Sequence, residues 1–188
     1  MELINEAIIF ATNAHNGMKR KKTDIPYILH PLEAAVIVGT MTTDQEVIAA
    51  AVLHDVVEDT KVSIDEIENI FGERVKKLVS SETENKRHDV PSHLSWRIRK
   101  EETLEILKNA DDIGVLMVWI GDKLANIRSL YHELQIEGEK TWEKFNQKDV
   151  KQHEWYYRNV VKFTERLNHT YAWQEFKTLV DKVFGKEA

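Results

Sequence analysis

The sequence contains no cysteine and only 7 glycines and 3 prolines in 188 residues, where average usage would give about 13 and 9. Without thiols there is no disulfide framework and no thiolate chemistry, so strong metal ligands can only be histidine and carboxylate. So few turn formers exclude a many-stranded sandwich or barrel, which needs a turn about every 8–12 residues. Long hydrophobic runs are missing as well, and stretches such as Val115 to Ile120 are far too short to span a bilayer. No basic residue precedes the first apolar positions, where Glu2 and Glu6 stand instead, so the layout of a signal peptide is lacking. A cytoplasmic protein with no membrane partner is expected.

What remains is 42% hydrophobic and 31% charged, the composition of an ordinary globule. There is no repeat, low-complexity tract or linker, so residues 1–188 are expected to form a single domain with a sizeable core. Self-association is left open. The net charge of −6 argues against a general nucleic-acid binder, which needs a basic surface to displace counterions. Lys19-Arg20-Lys21-Lys22 is a local exception, and on charge alone it reads equally well as a solvated loop or as an anion grip.

Helical spacing dominates. Leu3, Ala7, Ile8, Ala11 and Ala14 form one stripe that ends near Gly17. Pro31 suits the first turn of a second helix carrying Leu32, Ala35 and Val36. Thr43 with Glu46 reads as a capping box opening a third helix that runs to about Asp59, and Ser63 with Glu66 reads as another. Ser80 to Ser92 reads as a polar loop. Helices are expected over Trp96–Asn109, Asp112–Glu133, Asp149–Asn168 and Ala172–Phe184. Val115 to Ile120 alone would suit a buried strand, but Lys123, Leu124, Ile127 and Leu130 continue it at helical spacing. The expected fold is all-α, an irregular bundle of about nine helices.

The third helix is apolar on every side, the pattern of an element at a domain centre, yet it also holds His54, Asp55, Glu58 and Asp59. On a continuous helix these four fall within an arc of about 140°. Three carboxylates and an imidazole gathered on a buried helix are costly unless a cation offsets them, and a divalent metal is the simplest one. A frayed, hydrated helix end is the competing explanation. The dipeptide alone is weak, because 8 His and 11 Asp predict about 0.5 His-Asp pairs by chance. His88-Asp89 is such a pair, set in the polar loop with no apolar helix behind it, and reads as surface. Further ligands could come from His30, at a helix start, and from Asp122, which follows an apolar run and shares a helix face with Asn126. Mixed imidazole and carboxylate ligation suits Mn, Fe, Zn or Ni.

His30, His54-Asp55 and Asp122 resemble the ligands of the HD-domain metal phosphohydrolases. The stretches Ala14-His15-Asn16-Gly17, Arg20-Lys21 and Ile25 to Pro31 are similar, more closely, to the RelA/SpoT-type hydrolase domain. So are Ala50 to Thr60, Phe71-Gly72 and Gly121 to Arg128, in the family's order and spanning roughly residues 7 to 131. The resemblance is to a stand-alone small alarmone hydrolase. It implies the helical HD fold and Mn²⁺-dependent removal of the 3′-pyrophosphate of (p)ppGpp, giving GDP or GTP. It places His30, His54, Asp55 and Asp122 on the metal and Glu58 and Asp59 at the attacking water. It also sets Arg20, Lys21, Tyr27 and Asn126 against the nucleotide. The chain departs from the family pattern at Met18, where Gln is usual, and in one extra residue within Lys22-Thr23-Asp24. Arg99 and Lys100 are further candidates for substrate phosphates. Two other readings are a hydrolase of another nucleotide, such as NADPH through its ribose phosphate or a 5′-nucleotide, and a silent alarmone sensor. The sequence does not say what residues 135–188 do.

Overall fold

A computed structural model describes residues 2–87 and 89–186. Ten α-helical segments and two 3-10 segments follow one another in it. They are α1 (Leu3–Ala14), α2 (Leu29–Gly39), α3 (Gln45–Leu53), α4 (Val56–Asp59), α5 (Ile64–Phe71), α6 (Glu73–Glu82), α7 (Ser92–Lys108), α8 (Ile113–Glu137), α9 (Val150–Phe163) and α10 (Tyr171–Phe184). The 3-10 segments are Gly138–Lys144 and Glu165–Leu167. Among the described residues there is no strand, only an isolated bridge between Lys19 and Pro26. No described helix is long and apolar enough to cross a membrane. The fold is all-α, with nine α-helices if the α3–α4 pair counts as one.

The helices form two cores that meet along α8. One holds six alanines, Ala7, Ala11, Ala35, Ala49, Ala50 and Ala51, among valines and leucines of α1, α2, α3 and α6. The other is aromatic, with Trp96, Trp119, Trp142, Trp173, Tyr156, Tyr157 and Phe176 from α7 to α10. Alanine lets helix axes approach closely, and Gly121 shows how closely. A Cβ there would lie 2.8 Å from the Ala34 carbonyl oxygen and 2.7 Å from Val38 Cγ2. The Ala34 atom is backbone and cannot turn aside, so only glycine allows α2 and α8 to cross at this point. That crossing places His30 beside Asp122.

Several boundaries differ from expectation for identifiable reasons. Asp44, not Thr43, caps α3, its carboxylate accepting from the Glu46 N–H at 3.0 Å; Asp is as good a cap as Thr or better. Ser63 caps α5 as the pattern predicts. The third helix is interrupted at His54-Asp55. There the His54 ring takes the Ala51 carbonyl at 2.8 Å, the acceptor an unbroken helix would offer to the Asp55 N–H. Helix α6 continues to Glu82, so the following loop is 83–91, and α7 begins at Ser92 rather than Trp96. Val36 is 70% exposed, because α2 turns Ala34, Ala35, Ile37 and Val38 inward. His88 of the second His-Asp pair lies outside the described residues.

Candidate metal centre and active site

Three parts of the fold deliver the four central donors. His30 stands in the first turn of α2, His54 and Asp55 in the turn joining α3 to α4, and Asp122 midway along α8. His30 Nε2 lies 3.0 Å from Asp122 Oδ1 and 3.5 Å from Asp55 Oδ2. His54 Nε2 lies 3.0 Å from Asp55 Oδ2 and 3.6 Å from Asp122 Oδ1. Donors about 2.1 Å from a shared ion stand about 3.0 Å apart at right angles and about 3.4 Å apart at tetrahedral angles. The donor atoms of His30, His54 and Asp122 all lie within 4.8 Å of one another, a group that could hold one ion, and Asp55 Oδ2 stands beside both imidazoles.

The polarity of these atoms makes the fit stronger than distance alone. The His54 Nδ1–H donates to the Ala51 carbonyl, which turns the Nε2 lone pair toward two carboxylate oxygens. That Nε2 is buried without a hydrogen-bond partner. A lone pair facing acceptors in a dry site is repulsive unless positive charge stands between them. Burial disfavours a charged His54 ring, yet the carboxylates of Asp55 and Asp122 outweigh it and hold the pKa well above the ordinary histidine value. The site thus calls for positive charge between these atoms, which a proton on His54 or a bound ion supplies, and its imidazole and carboxylate donors suit a divalent transition metal.

Around this centre the carboxylates are tied down in different ways. The Tyr27 hydroxyl lies 2.7 Å from Asp55 Oδ2 and 2.8 Å from Asp59 Oδ2, and having one proton it donates to one of them at a time. Burial and those carboxylates push the Tyr27 pKa far upward, which keeps the hydroxyl a donor. Glu58 Oε2 accepts the Glu84 N–H at 3.1 Å, and its pKa is raised by burial and then by the charge of Asp55. A raised carboxylate is better matched to taking a proton near neutrality. Lys86 reaches Asp59 Oδ1 at 2.6 Å and Glu58 Oε1 at 3.6 Å.

These groups open onto a cleft of about 1300 Å³ whose other walls are basic and aromatic. Arg20, Lys21, Tyr27 and Asn126 all line it, as do Arg99 and Lys100. Asn126 links two of the expected groups, since its amide donates to Asp122 Oδ1 at 2.5 Å and accepts from Arg20 Nη2 at 3.2 Å. Lys21 donates to Asn146 Oδ1 at 3.0 Å at the rim. Arg99 and Lys100 each reach Glu84 at 2.6 Å, so the pair is neutralised in part by an internal carboxylate. Sequence reasoning missed Glu84, Lys86 and the aromatic wall of Trp96, Phe145, Tyr156 and Tyr157. The paired tyrosines at helical spacing from other aromatics gave a core signal but no hint of a cleft. His153 serves that wall structurally: it packs against Trp96, Trp142 and Phe145, bonds the Gln147 carbonyl at 2.8 Å, and is held neutral by burial.

The HD-domain profile matches residues 7–149, three quarters of the chain and all of the residues that carry the donors. The chain belongs to the HD-domain family. HD domains bind a divalent metal, and the donor set here fits one. The chain is 38% identical over 128 residues to the GTP pyrophosphokinase rsh of Brucella ovis. It is 38% identical over 130 residues to the guanosine-3′,5′-bis(diphosphate) 3′-pyrophosphohydrolase of Aquifex aeolicus. These matches cover 68% and 69% of this chain but only 17% and 18% of those longer proteins. Among solved structures, lmo0812 of Listeria monocytogenes aligns with a TM-score of 0.72 at 32% identity, over 84% of this HD chain and 99% of that one. A metazoan ortholog of SpoT, described as hydrolysing ppGpp, aligns with a TM-score of 0.78 at 25% identity, over 99% and 98% of the two chains.

Proposed function

We propose that this HD-domain protein hydrolyses the 3′-pyrophosphate of (p)ppGpp, releasing pyrophosphate and GDP or GTP, with Mn²⁺ as its working metal. One observation carries the proposal. The carboxylate pair Glu58 and Asp59 shares a single cleft with Arg20, Lys21, Lys86 and Lys100, and two residues of its wall, Tyr27 and Asn126, bond Asp55 and Asp122 of the donor cluster behind it. A polyanion with a scissile phosphoester is the ligand that needs all three at once. The names of the Aquifex and metazoan relatives narrow that polyanion to an alarmone. The cleft joins Glu58 and Asp59 of α4 to Trp96, Tyr156 and Tyr157 of the aromatic core, which supports reading residues 1–188 as one functional unit.

In this reading His30, His54, Asp55 and Asp122 hold the ion, which when bound lowers the pKa of water toward neutrality and polarises a phosphoryl oxygen. Glu58 accepts the proton of the attacking water. Asp59, fixed between Tyr27 and Lys86, orients that water. The water oxygen bonds to the phosphorus bearing the 3′ ester, the bond from that phosphorus to the 3′ oxygen breaks, and the nucleoside oxygen leaves with a proton. Arg20 and Lys21 bind the remaining phosphates, as guanidinium and ammonium groups do. Asn126 relays the position of Arg20 to Asp122.

The test is product identification. Purified protein with Mn²⁺ should release pyrophosphate from ppGpp, lose that activity on chelation and regain it with Mn²⁺. Release of orthophosphate from a different nucleotide, with ppGpp left intact, would overturn the substrate assignment.

A further inference from the structure

The mechanism leaves one buried constellation unused. Lys123 follows Asp122 on α8, and its ammonium bonds Asp122 Oδ2 and reaches Glu82 Oε2 at 3.3 Å. Both side chains are nearly inaccessible, Lys123 at 12% and Glu82 at 3% exposure. Glu82 comes from the last turn of α6, so the contact ties α6 to α8. The Lys123 ammonium also lies 4.8 Å from the Trp119 ring centroid, a cation–π contact from the preceding turn of the same helix. Glu82 Oε1 is buried with no hydrogen-bond partner. A buried lysine and glutamate of this kind are a poor source of stability compared with an apolar pair of the same volume, so their value has to be sought elsewhere.

The oxygens of Asp122 show where. Oδ1 faces both histidines and takes the Asn126 amide, while Oδ2 points the other way and is held by Lys123. A free carboxylate can rotate, offer either oxygen or chelate with both. This one is fixed to present a single oxygen.

We propose that Lys123 and Glu82 are positioning residues for the metal ligand Asp122. Lys123 clamps Oδ2 so that only Oδ1 meets the ion, and Glu82 with the Trp119 face fixes the clamp. The proposal rests on the reading of His30, His54, Asp55 and Asp122 as the ligand set, but not on any particular nucleotide substrate. Partners that orient ligands in this way commonly contribute about 10–100-fold to metal affinity.

Calorimetric titration of the chelator-stripped full chain with Mn²⁺ alone tests it. Lys123→Met is expected to weaken Mn²⁺ binding by about 10–100-fold. Lys123→Arg is expected to recover part of that loss, because a guanidinium can still donate to Oδ2. Glu82→Gln should weaken binding less than Lys123→Met does. If Lys123→Met fails to fold with Glu82 left unpaired, Lys123→Met with Glu82→Leu removes both charges and must show the same loss. Mn²⁺ affinity within about twofold of wild type in the folded variant overturns the proposal. So does a lowered thermal midpoint with unchanged affinity, since that marks a packing role only. Wild-type protein that binds no Mn²⁺ overturns the ligand reading itself and the proposal with it. Absence of ppGpp turnover alongside normal Mn²⁺ binding would overturn only the proposed substrate.

Discussion

The two cores of this protein solve different problems with different side chains. The alanine- and valine-rich core under α1, α2, α3 and α6 buries little mass per residue but lets backbones approach, and it carries His30, His54, Asp55 and one face of Asp122. The aromatic core of α7 to α10 buries large rings and supplies one wall of the cleft. Bringing two imidazoles to within 3.0–3.6 Å of two carboxylates needs close helix crossings, which large side chains would prevent. Surrounding a nucleotide needs breadth instead, which tyrosine and tryptophan provide. The HD-domain match ends at residue 149, before α9 begins, so the matched portion holds the donors while α9 and α10 lie beyond it. In the proposed function, chemistry falls to the tightly packed half and the shape of the ligand largely to the aromatic half.

The sharpest test of that division separates activity from stability. With Glu58 as the general base, Glu58→Gln should lower kcat by about 10²–10⁴, equivalent to about 3–5 kcal/mol of barrier. Thermal stability and Mn²⁺ binding should stay near wild type, since Gln keeps the volume and can still accept the Glu84 N–H. Steady-state pyrophosphate release beside a melting curve checks both. Phe176→Ala should do the reverse. Phe176 is fully buried in the aromatic core, so its truncation should cost about 3–5 kcal/mol of unfolding free energy. The folded fraction should keep its Mn²⁺ affinity, and denaturant titration with calorimetry would show whether it does. Loss of metal affinity in Phe176→Ala would erase the distinction between the halves.

A smaller change strikes the close crossing directly. Gly121→Ala adds one methyl against the Ala34 carbonyl, and overpacking of this kind typically costs about 1–3 kcal/mol. Because Gly121 adjoins Asp122 and Ala34 lies one turn from His30, the strain should also loosen the donor cluster and weaken Mn²⁺ binding. A lowered melting temperature with unchanged metal affinity would mean that α2 and α8 can separate without moving the ligands.

Much of this arrangement was legible in the sequence, and the limits are physical. Helical periodicity and the turn shortage gave the all-α class, because both are local signals. The polar cluster on an apolar helix pointed to His54, Asp55, Glu58 and Asp59, because buried charge needs a reason wherever it occurs. Gly121 and Asp122 were visible as residues, but the crossing that joins them to α2 depends on contacts across about ninety positions of chain. Lys86 and Glu84 were hidden for the same reason: each sits in a polar loop of ordinary composition and gains meaning only where 83–91 folds back on Glu58 and Asp59. The break at His54-Asp55 was missed because it comes from a side chain capturing a backbone carbonyl, which propensity cannot register.

The least expected effect lies at the outer edge of the ligand-bearing half, where polar contacts replace packing. Arg74 on α6 bonds Asp44 at 2.7 Å and Asp112 at 3.1 Å, the residues that cap α3 and α8, and reaches Glu46 at 2.9 Å. One guanidinium thereby joins the starts of the two helices that lead to His54 and Asp122. Hydrogen bonds from Arg74 hold the Asp44 and Asp112 carboxyls below the ordinary carboxylate value. Depressed carboxylates stabilise the fold above about pH 4, their unfolded value, and that contribution disappears as pH falls through their folded values. These side chains are more than a third exposed, so screening limits the cluster to about 1 kcal/mol. Arg74→Met should therefore lower stability by about that amount at neutral pH, and the gap from wild type should close as the pH is taken from about 5 down to 3. Urea melts of both proteins across that range would measure it. An equal gap at both ends would show that Arg74 acts through its aliphatic stem against α3 and α8 rather than through its charge.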